Sequence, residues 1–352
     1  LHTLQARIGT SGLDGLLLSS ADSIAYFAGF WGYLGVEFGR PTLVYLPAQG
    51  DATVITPLME SDMVSRQTGI ARIRPWEDGV KGEWRPLLSA SIGKEARRVG
   101  VEAQLQSPLV TSYLDREFPE LEWIDAAPII AALRMIKTAD EIEVMRQAGQ
   151  VGVAMVEAAR AVIAEGVPEY EVALAVIEGG SRKAAEFLGT AEQDMFVSPM
   201  VHNLQILQSG EHTCMVHRRA SVRPLRRGDP VYLCFCGMIN FKHYKLGFDR
   251  EFFVGSATDQ QLRTYEVCLD AQAAALAAIR PGAVAEDVHF AANEVYQQAG
   301  FSPGYRSGRG VGYSYLEQPE LKAGDKTVLK AGMSFAVDGG ITIAGEYGAR
   351  IG

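Results

Sequence analysis

Short apolar runs alternate with amphipathic stretches through the first third of the chain. Four of the runs have the length and composition of strands, at 13–19, 42–46, 52–56 and 98–102. Three stretches carry apolar residues at helical spacing, at 20–30, 58–68 and 109–118. This alternation predicts an α/β domain at the N-terminus.

Long helical patterns dominate the rest of the chain. Thr138 and Glu141 have capping-box spacing, which predicts the start of a long helix. Its apolar positions predict one buried stripe, made of Ile142, Met145, Val156, Ala159 and Ile163. Gly166 should end that helix, and Pro168 should open the next one.

A second capping box, Thr258 with Gln261, predicts another long helix. One more helix is predicted over 285–298. Strands are predicted between and after these helices, at 231–236, 251–254 and 334–337. The second part is therefore predicted to be α+β, with helix pairs packed on an antiparallel sheet. We place the boundary between an N-terminal domain, 1–127, and a C-terminal domain, 128–352.

Composition narrows the function classes. The chain has 352 residues, of which 47% are hydrophobic and 21% charged, as expected for a soluble protein with a large core. A net charge of −9 and a pI near 5.3 argue against a general affinity for nucleic acid. No apolar run reaches the ~20 residues that span a bilayer, so no membrane segment is predicted. One basic cluster is interpreted as a solvated loop: Arg218, Arg219, Arg223, Arg226 and Arg227.

The cysteines predict a reducing compartment. Four cysteines in a chain of this length do not make a disulfide framework, and the first residues show no secretory signal. We therefore expect a cytoplasmic protein. Cys234 and Cys236 alternate on one predicted strand and are interpreted as small buried residues.

Several segments in order resemble the creatinase/aminopeptidase P/prolidase family. The segment 133–137 (LRMIK), followed by Glu141 and Met145, is similar to the entry into that family's catalytic domain. The segment 330–333 (KAGM) is similar to the turn before its last strands. The resemblance covers essentially the whole chain and implies an α/β N-terminal domain joined to a pita-bread α+β domain.

The resemblance also implies five metal-ligand positions, which are two Asp, one His and two Glu in the peptidases. This chain has Phe235, Gly247, Arg309, Asp338 and Gly352 at those positions. Hard divalent ions need several oxygen ligands, and a guanidinium cannot coordinate a metal. We therefore expect no metal and no other cofactor.

The metal-free creatinase branch of the family fits better. The resemblance implies a catalytic His at a fixed distance before a Gly-Asp pair, and His217 stands at that distance before Gly228. It implies one acidic residue before an Arg, which is Asp249, and another after the Gly-Met turn, which is Asp338. Both are Asp where creatinase has Glu, which places creatine in doubt as the substrate.

Roles follow from the chemistry of these groups. Imidazole titrates near neutral pH, so His217 suits general base and acid catalysis. Asp249 and Asp338 can hold a cationic or NH-rich group. As alternatives, Asp249 pairs with Arg250 at the surface, and Asp338 is a turn residue.

The resemblance implies a homodimer in which Arg40, in the sequence Phe38-Gly39-Arg40, binds the substrate carboxylate in the partner's site. A solvated loop arginine is the alternative for Arg40, and a core aromatic is the alternative for Phe38. Arg309 between glycines either supplies a second anion contact or neutralises Asp249 or Asp338.

Further pocket candidates are Tyr244, Tyr313 and Glu317. Three other histidines are more often structural: His202, His212 and His243. The leading hypothesis is metal-independent hydrolysis of a non-peptide C–N bond in a small compound that bears a carboxylate. The alternatives are an Xaa-Pro-type peptidase with an unusual metal site and a pita-bread scaffold that only binds.

Overall fold

The structure is a computed structural model that describes residues 1–201, 206–235, 239–302 and 304–352. His202 and Cys236 therefore lie outside the described residues. The chain divides into two compact units, Leu1–Leu133 and Arg134–Gly352.

A mixed sheet forms the centre of the first unit. Its strands are β1 (Gly15–Leu18), β2 (Leu43–Pro47), β3 (Thr53–Pro57), β4 (Arg72–Trp76), β5 (Arg98–Val101) and β6 (Glu122–Asp125). Their order is β4-β3-β2-β1-β5-β6. The helices are α1 (His2–Thr10), α2 (Ala21–Ala28), α3 (Tyr33–Phe38), α4 (Ser61–Gln67), α5 (Arg85–Ile92), α6 (Pro108–Glu117) and α7 (Ala127–Arg134).

Strand alternation gives this sheet two buried faces. Leu16 and Leu18 pack in one apolar cluster, and Leu17 packs in another. The four predicted strands are present, whereas β4 and β6 were not predicted. Those two are the edge strands, and their polar residues hide the apolar signal of a strand.

Helix pairs characterise the second unit, as predicted. The helices are α8 (Ala139–Val162), α9 (Glu169–Glu186), α10 (Asp259–Ala278) and α11 (Ala285–Gln298). Both capping boxes form, at Thr138 with Glu141 and at Thr258 with Gln261. One apolar core includes residues of α8 and α9, and another includes residues of α10 and α11.

Short antiparallel strands complete the second unit. They are β7 (Ile206–Ser209), β8 (Pro230–Cys234), β9 (Asn240–Phe241), β10 (Tyr244–Lys245), β11 (Asp249–Phe253), β12 (Gly308–Gly310), β13 (Glu317–Leu321), β14 (Phe335–Val337), β15 (Gly339–Ile343) and β16 (Tyr347–Ile351). Three of the sheets have the orders β11-β8-β7, β13-β12-β14 and β15-β16. Backbone hydrogen bonds between Asp249 and Gly352, 3.2 and 3.3 Å long, join the start of β11 to the end of β16.

In the ranges that the structure describes, no helix is both long and apolar enough to span a bilayer.

Candidate active site

Asp249 lies buried at the start of β11, 6% exposed and directly opposite Cys234 of β8. Burial raises the pKa of the Asp249 carboxyl, whereas hydrogen bonds from Cys234 and Tyr232 lower it, and the net shift is upward. Tyr232 and Cys234 alternate on β8 and so face the same side of the strand. Burial is thus the larger effect on this carboxyl.

Arg309 and Asp338 form an ion pair beside this carboxyl. Arg309 is the central residue of β12, and its Nη1 donates to Oδ2 of Asp338, the residue after β14. The Nε of Arg309 donates to the carbonyl of Tyr315 at 2.8 Å. The Arg309 side chain is 7% exposed and the Asp338 side chain 21%. The guanidinium is therefore fixed by both contacts in a mostly buried place.

The charges of Asp338 and Arg309 both act on the Asp249 carboxyl. The charge of Asp338 raises the pKa of Asp249, and the charge of Arg309 lowers it. Asp338 and Arg309 thus act on the Asp249 carboxyl in opposite directions.

The glycines on either side of Arg309 serve strand packing. A Cβ on Gly308 would lie 2.4 Å from the carbonyl oxygen of Ala336, and one on Gly310 would lie 2.7 Å from that of Gln318. Neighbouring strands thus approach β12 too closely for any side chain at these two positions. The structure assigns these glycines to strand contact rather than to ligand contact.

His217 is exposed in a turn between β7 and β8. The segment before it contacts the β15–β16 hairpin: Gly348 N donates to Thr213 Oγ1 at 2.8 Å, and Cys214 Sγ donates to the Ile343 carbonyl at 3.2 Å. Within the described part of the chain, the imidazole has no hydrogen bond to Asp249 or Asp338. The structure brings Asp249, Asp338 and Arg309 together and leaves His217 on the neighbouring segment.

Comparison with known proteins identifies the family. The model of metallopeptidase family M24 matches residues 143–352, and the model of the creatinase/prolidase N-terminal domain matches residues 1–136. The chain belongs to family M24.

Relatives of this M24 protein include different enzymes. An agropine synthesis cyclase of Rhizobium rhizogenes is 30% identical, with 100% of this chain and 91% of that protein covered. A creatinase from a Bacillus species is 28% identical, with 98% and 84% covered. The Xaa-Pro dipeptidase of Pyrococcus furiosus is 29% identical, with 87% and 82% covered.

Solved structures agree on the fold. An Xaa-Pro dipeptidase from Bacillus anthracis superposes with a TM-score of 0.82 over 99% of this chain and 92% of that one, at 24% identity. The likeness shows the two-domain architecture with a pita-bread domain. It confirms the predicted fold class.

The M24 metal pair does not fit the residues of this chain. Phe235 is fully buried and stacks on Phe248 with ring centroids 4.8 Å apart. Arg309, for which the resemblance implies a histidine position, forms an ion pair with Asp338, the one acidic residue in the implied set. In the described ranges, no group of three His, Cys, Asp or Glu side chains is arranged to hold a metal ion.

Gly352 lies close to Asp249. A Cβ at this position would lie 3.0 Å from Oδ2 of Asp249. The Asp249 carboxyl therefore occupies the space into which a longer side chain from 352 would extend. A side chain at 352 would therefore require a shift of a few tenths of an ångström at Asp249.

Tyr244, Tyr313 and Glu317 lie together in the same unit. Tyr244 and Tyr313 make an edge-to-face ring contact at 5.1 Å, and the Tyr244 hydroxyl donates to Glu141 Oε1 at 2.8 Å. Glu317 accepts from Arg134 at 2.6 Å and from Lys137 at 2.9 Å. Burial opposes ionisation of Glu317, but these two cations dominate and lower its pKa. The Glu317 carboxylate is thus already bound by protein cations.

Phe38 and Arg40 lie in the first unit. Phe38 ends α3 and is 59% exposed, which excludes a core aromatic within this unit. Arg40 forms an ion pair with Asp78 at 2.9 Å, and its guanidinium carbon lies 5.9 Å from the centroid of the Phe38 ring.

The sequence analysis did not single out Glu251 or Tyr232. Glu251 follows Asp249 by two residues on β11 and is 8% exposed. Burial raises its pKa to about 8, and Arg350 N donates to its Oε2 at 2.8 Å. The signal that could have identified a second buried carboxyl was the alternation of two acids on a strand that ends in Phe252 and Phe253.

Proposed function

We propose that this M24 protein hydrolyses a non-peptide C–N bond without a metal. The substrate is a small compound that bears a carboxylate, of the guanidino, ureido, amide or cyclic amidine type. The Arg309–Asp338 pair beside buried Asp249 is the observation that carries the proposal, because it puts a guanidinium where the family resemblance implies a metal-binding histidine. Similarity to a creatinase over 98% of the chain supports it.

The proposed reaction uses His217 as the base. His217 takes a proton from water, and the water oxygen forms a bond to the substrate carbon. The C–N bond then breaks, and the proton passes from His217 to the leaving nitrogen. Asp338 and Asp249 accept or donate hydrogen bonds at the nitrogen group, and Arg309 stabilises negative charge on the attacked centre.

Ring closure is the second candidate, because an agropine synthesis cyclase is 30% identical over the whole chain. Closing a cyclic amide joins an internal nitrogen to a carboxyl carbon and releases water, which is hydrolysis in reverse. The same base and the same guanidinium serve both directions. Incubating open-chain and cyclic forms of one acid separately, and following each by mass spectrometry, shows which direction the protein accelerates.

The metal content tests the central claim. Because Phe235, Gly247, Arg309 and Gly352 occupy ligand positions, the purified protein should hold no stoichiometric transition metal. Its rate should be unchanged by a chelator such as EDTA. Two metal ions per chain, with activity lost on chelation and restored by the metal, would instead establish an Xaa-Pro-type peptidase.

Creatine should be a poor substrate. Asp is one C–C bond, ~1.5 Å, shorter than Glu, so both acids stand further back than in a creatine site. Arg309 also neutralises Asp338, which leaves less negative charge for a guanidinium cation. A release assay for ammonia, urea or amine should favour bulkier guanidino, ureido or cyclic amidine acids over creatine. Efficient creatine hydrolysis by the unmodified protein would refute this pocket argument, and release from none of the compounds would favour a binding scaffold.

We propose that Arg40 of one subunit binds the substrate carboxylate in the site of the other. Its ion pair with half-exposed Asp78 can exchange for a substrate carboxylate. Sedimentation should therefore show a homodimer, and Arg40→Ala should raise KM more than it lowers kcat. A monomer with full activity would contradict this role, whereas Asp78→Ala is the control that removes only the protein partner.

A further inference from the structure

His217 has an exposed side chain, and the backbone on both sides of it is held by hydrogen bonds from a buried residue. Gln208 of β7 is fully buried, and its Nε2 donates to the carbonyls of Val216 at 3.2 Å and Arg218 at 2.6 Å. These are the residues immediately before and after His217. One buried amide thus holds the chain on both sides of the proposed base.

A second anchor holds the residue after His217. The Arg218 guanidinium donates to both carboxylate oxygens of Glu169, at 3.0 and 2.9 Å. Glu169 is fully buried and also accepts from Ser221 N at 2.9 Å and from Ser209 Oγ at 2.7 Å. Burial opposes ionisation of Glu169, but its hydrogen bonds outweigh burial and lower its pKa, so it remains a carboxylate opposite Arg218.

The orientation of the Gln208 amide has a free-energy cost. Its Oε1 is buried and has no hydrogen-bond partner among the described residues. Turning the amide over would place that oxygen against two carbonyl oxygens, so the observed orientation is the only one that keeps both bonds. An unsatisfied buried polar atom costs about 1–3 kcal/mol, and such groups in native proteins are often associated with function.

We propose that Gln208 is a positioning residue, which together with the Glu169–Arg218 pair fixes His217 in the orientation that the reaction needs. The expected effect on catalysis rests on the proposed function. The expected effect on the orientation of the imidazole does not. A rigid backbone lowers the entropy cost of holding an exposed side chain in one orientation. Orientation matters because small displacements of a catalytic base lower the rate strongly.

The chain offers a matched control. Gln5 in α1 makes the same type of contact, with Nε2 donating to the carbonyls of Pro47 at 2.8 Å and Gly50 at 2.7 Å. It belongs to the first unit, where no proposed base lies. Gln208→Met and Gln5→Met each remove two side-chain hydrogen bonds to backbone carbonyls at similar side-chain length, although Gln5 is only half-buried.

Imidazole NMR tests the geometric part without a substrate. The chain has six histidines, so the His217 ring signal in a ¹H–¹³C spectrum is assigned by its loss in His217→Ala. Gln208→Met should broaden or split that signal, and Gln5→Met should leave it unchanged. A single sharp His217 signal at the wild-type position in Gln208→Met overturns the inference.

Kinetics tests the catalytic part, with whichever acid gives the highest rate in the release assay. Gln208→Met should lower kcat by between about 10- and 100-fold with KM within twofold, and Gln5→Met should change neither. A disturbed His217 signal with an unchanged kcat supports the geometric part and overturns the catalytic part, because the reaction then does not need the orientation that Gln208 fixes. An undisturbed signal and kcat, with activity lost in His217→Ala, overturn the inference and leave the proposed function standing.

A milder variant covers the case in which Gln208→Met does not fold. Ser221→Ala removes one donor to Glu169 Oε2, at 2.6 Å, and one acceptor for Arg218 Nη2, at 2.7 Å. It should change the His217 signal and kcat in the same direction as Gln208→Met, but by less. If Ser221→Ala leaves both unchanged while Gln208→Met fails to fold, the anchoring argument is wrong.

Discussion

His217→Ala should lower turnover by roughly 100-fold or more, the usual contribution of a general base. KM should change little, because the proposed carboxylate contact lies with Arg40 rather than with the imidazole. His217 is exposed, so its removal should alter the free energy of unfolding by only about 0.5 kcal/mol or less. A loss of rate therefore reports on chemistry and not on folding.

His212→Ala provides the comparison, because His212 lies in the same segment as His217. Its rate should stay within a few-fold of wild type. If His217→Ala retains the wild-type rate on the best substrate of the release assay, the base must be sought elsewhere. The buried carboxyls of Asp249 and Glu251, both with raised pKa, are the next groups to replace.

Local sequence signals predicted the long helices of the second unit, whereas α1, α3, α5 and α7 were not predicted. Both capping boxes form because they depend on residues three positions apart, which the sequence shows directly. The helix predicted over 285–298 has those bounds in the structure. Strands with polar residues, such as β4 and β6, were missed because their pairing depends on distant partners.

The candidate site could be predicted only in part for the same reason. The family resemblance singled out His217 by its distance before a Gly-Asp pair, and Asp249 by its place directly before Arg250. The contact of Asp249 with Tyr232 and Cys234 depends on the register between β8 and β11, which local sequence does not reveal. Likewise, the sequence left open whether Arg309 neutralises Asp249 or Asp338. The pairing of β12 with β14 brings it to Asp338.

Arg309→Met should destabilise the protein by about 3 kcal/mol, the lower end of what breaking a buried ion pair costs. The lower end applies because the Asp338 side chain is 21% exposed and keeps some solvent. The substitution leaves the Asp338 carboxylate beside Asp249 without its cation. Adding Asp338→Asn removes that charge and should restore much of the lost stability. Denaturant unfolding of both single variants and the double variant measures the coupling.

Arg98→Met is the matched control, because Arg98 pairs with Glu122 at 2.9 Å with side chains 44% and 61% exposed. Its loss should change the free energy of unfolding by less than about 1 kcal/mol. A cost of Arg309→Met no larger than that of Arg98→Met, or no recovery in the double variant, would show that the pair does not act as a buried charge balance.

The destabilisation caused by Arg309→Met should depend on pH in a defined direction. Asp249 has a folded pKa above its ordinary 3.8, so its contribution to stability is fully present below that value and is lost as pH rises through the folded pKa. Arg309 lowers this pKa, so removing Arg309 raises it further and enlarges the loss at higher pH. The penalty of Arg309→Met should therefore be smallest near pH 4 and grow towards neutral pH. Combining Arg309→Met with Asp249→Asn should make the penalty nearly independent of pH, because the titrating carboxyl is then absent. If the penalty grows equally with and without Asp249→Asn, the pH dependence belongs to another group.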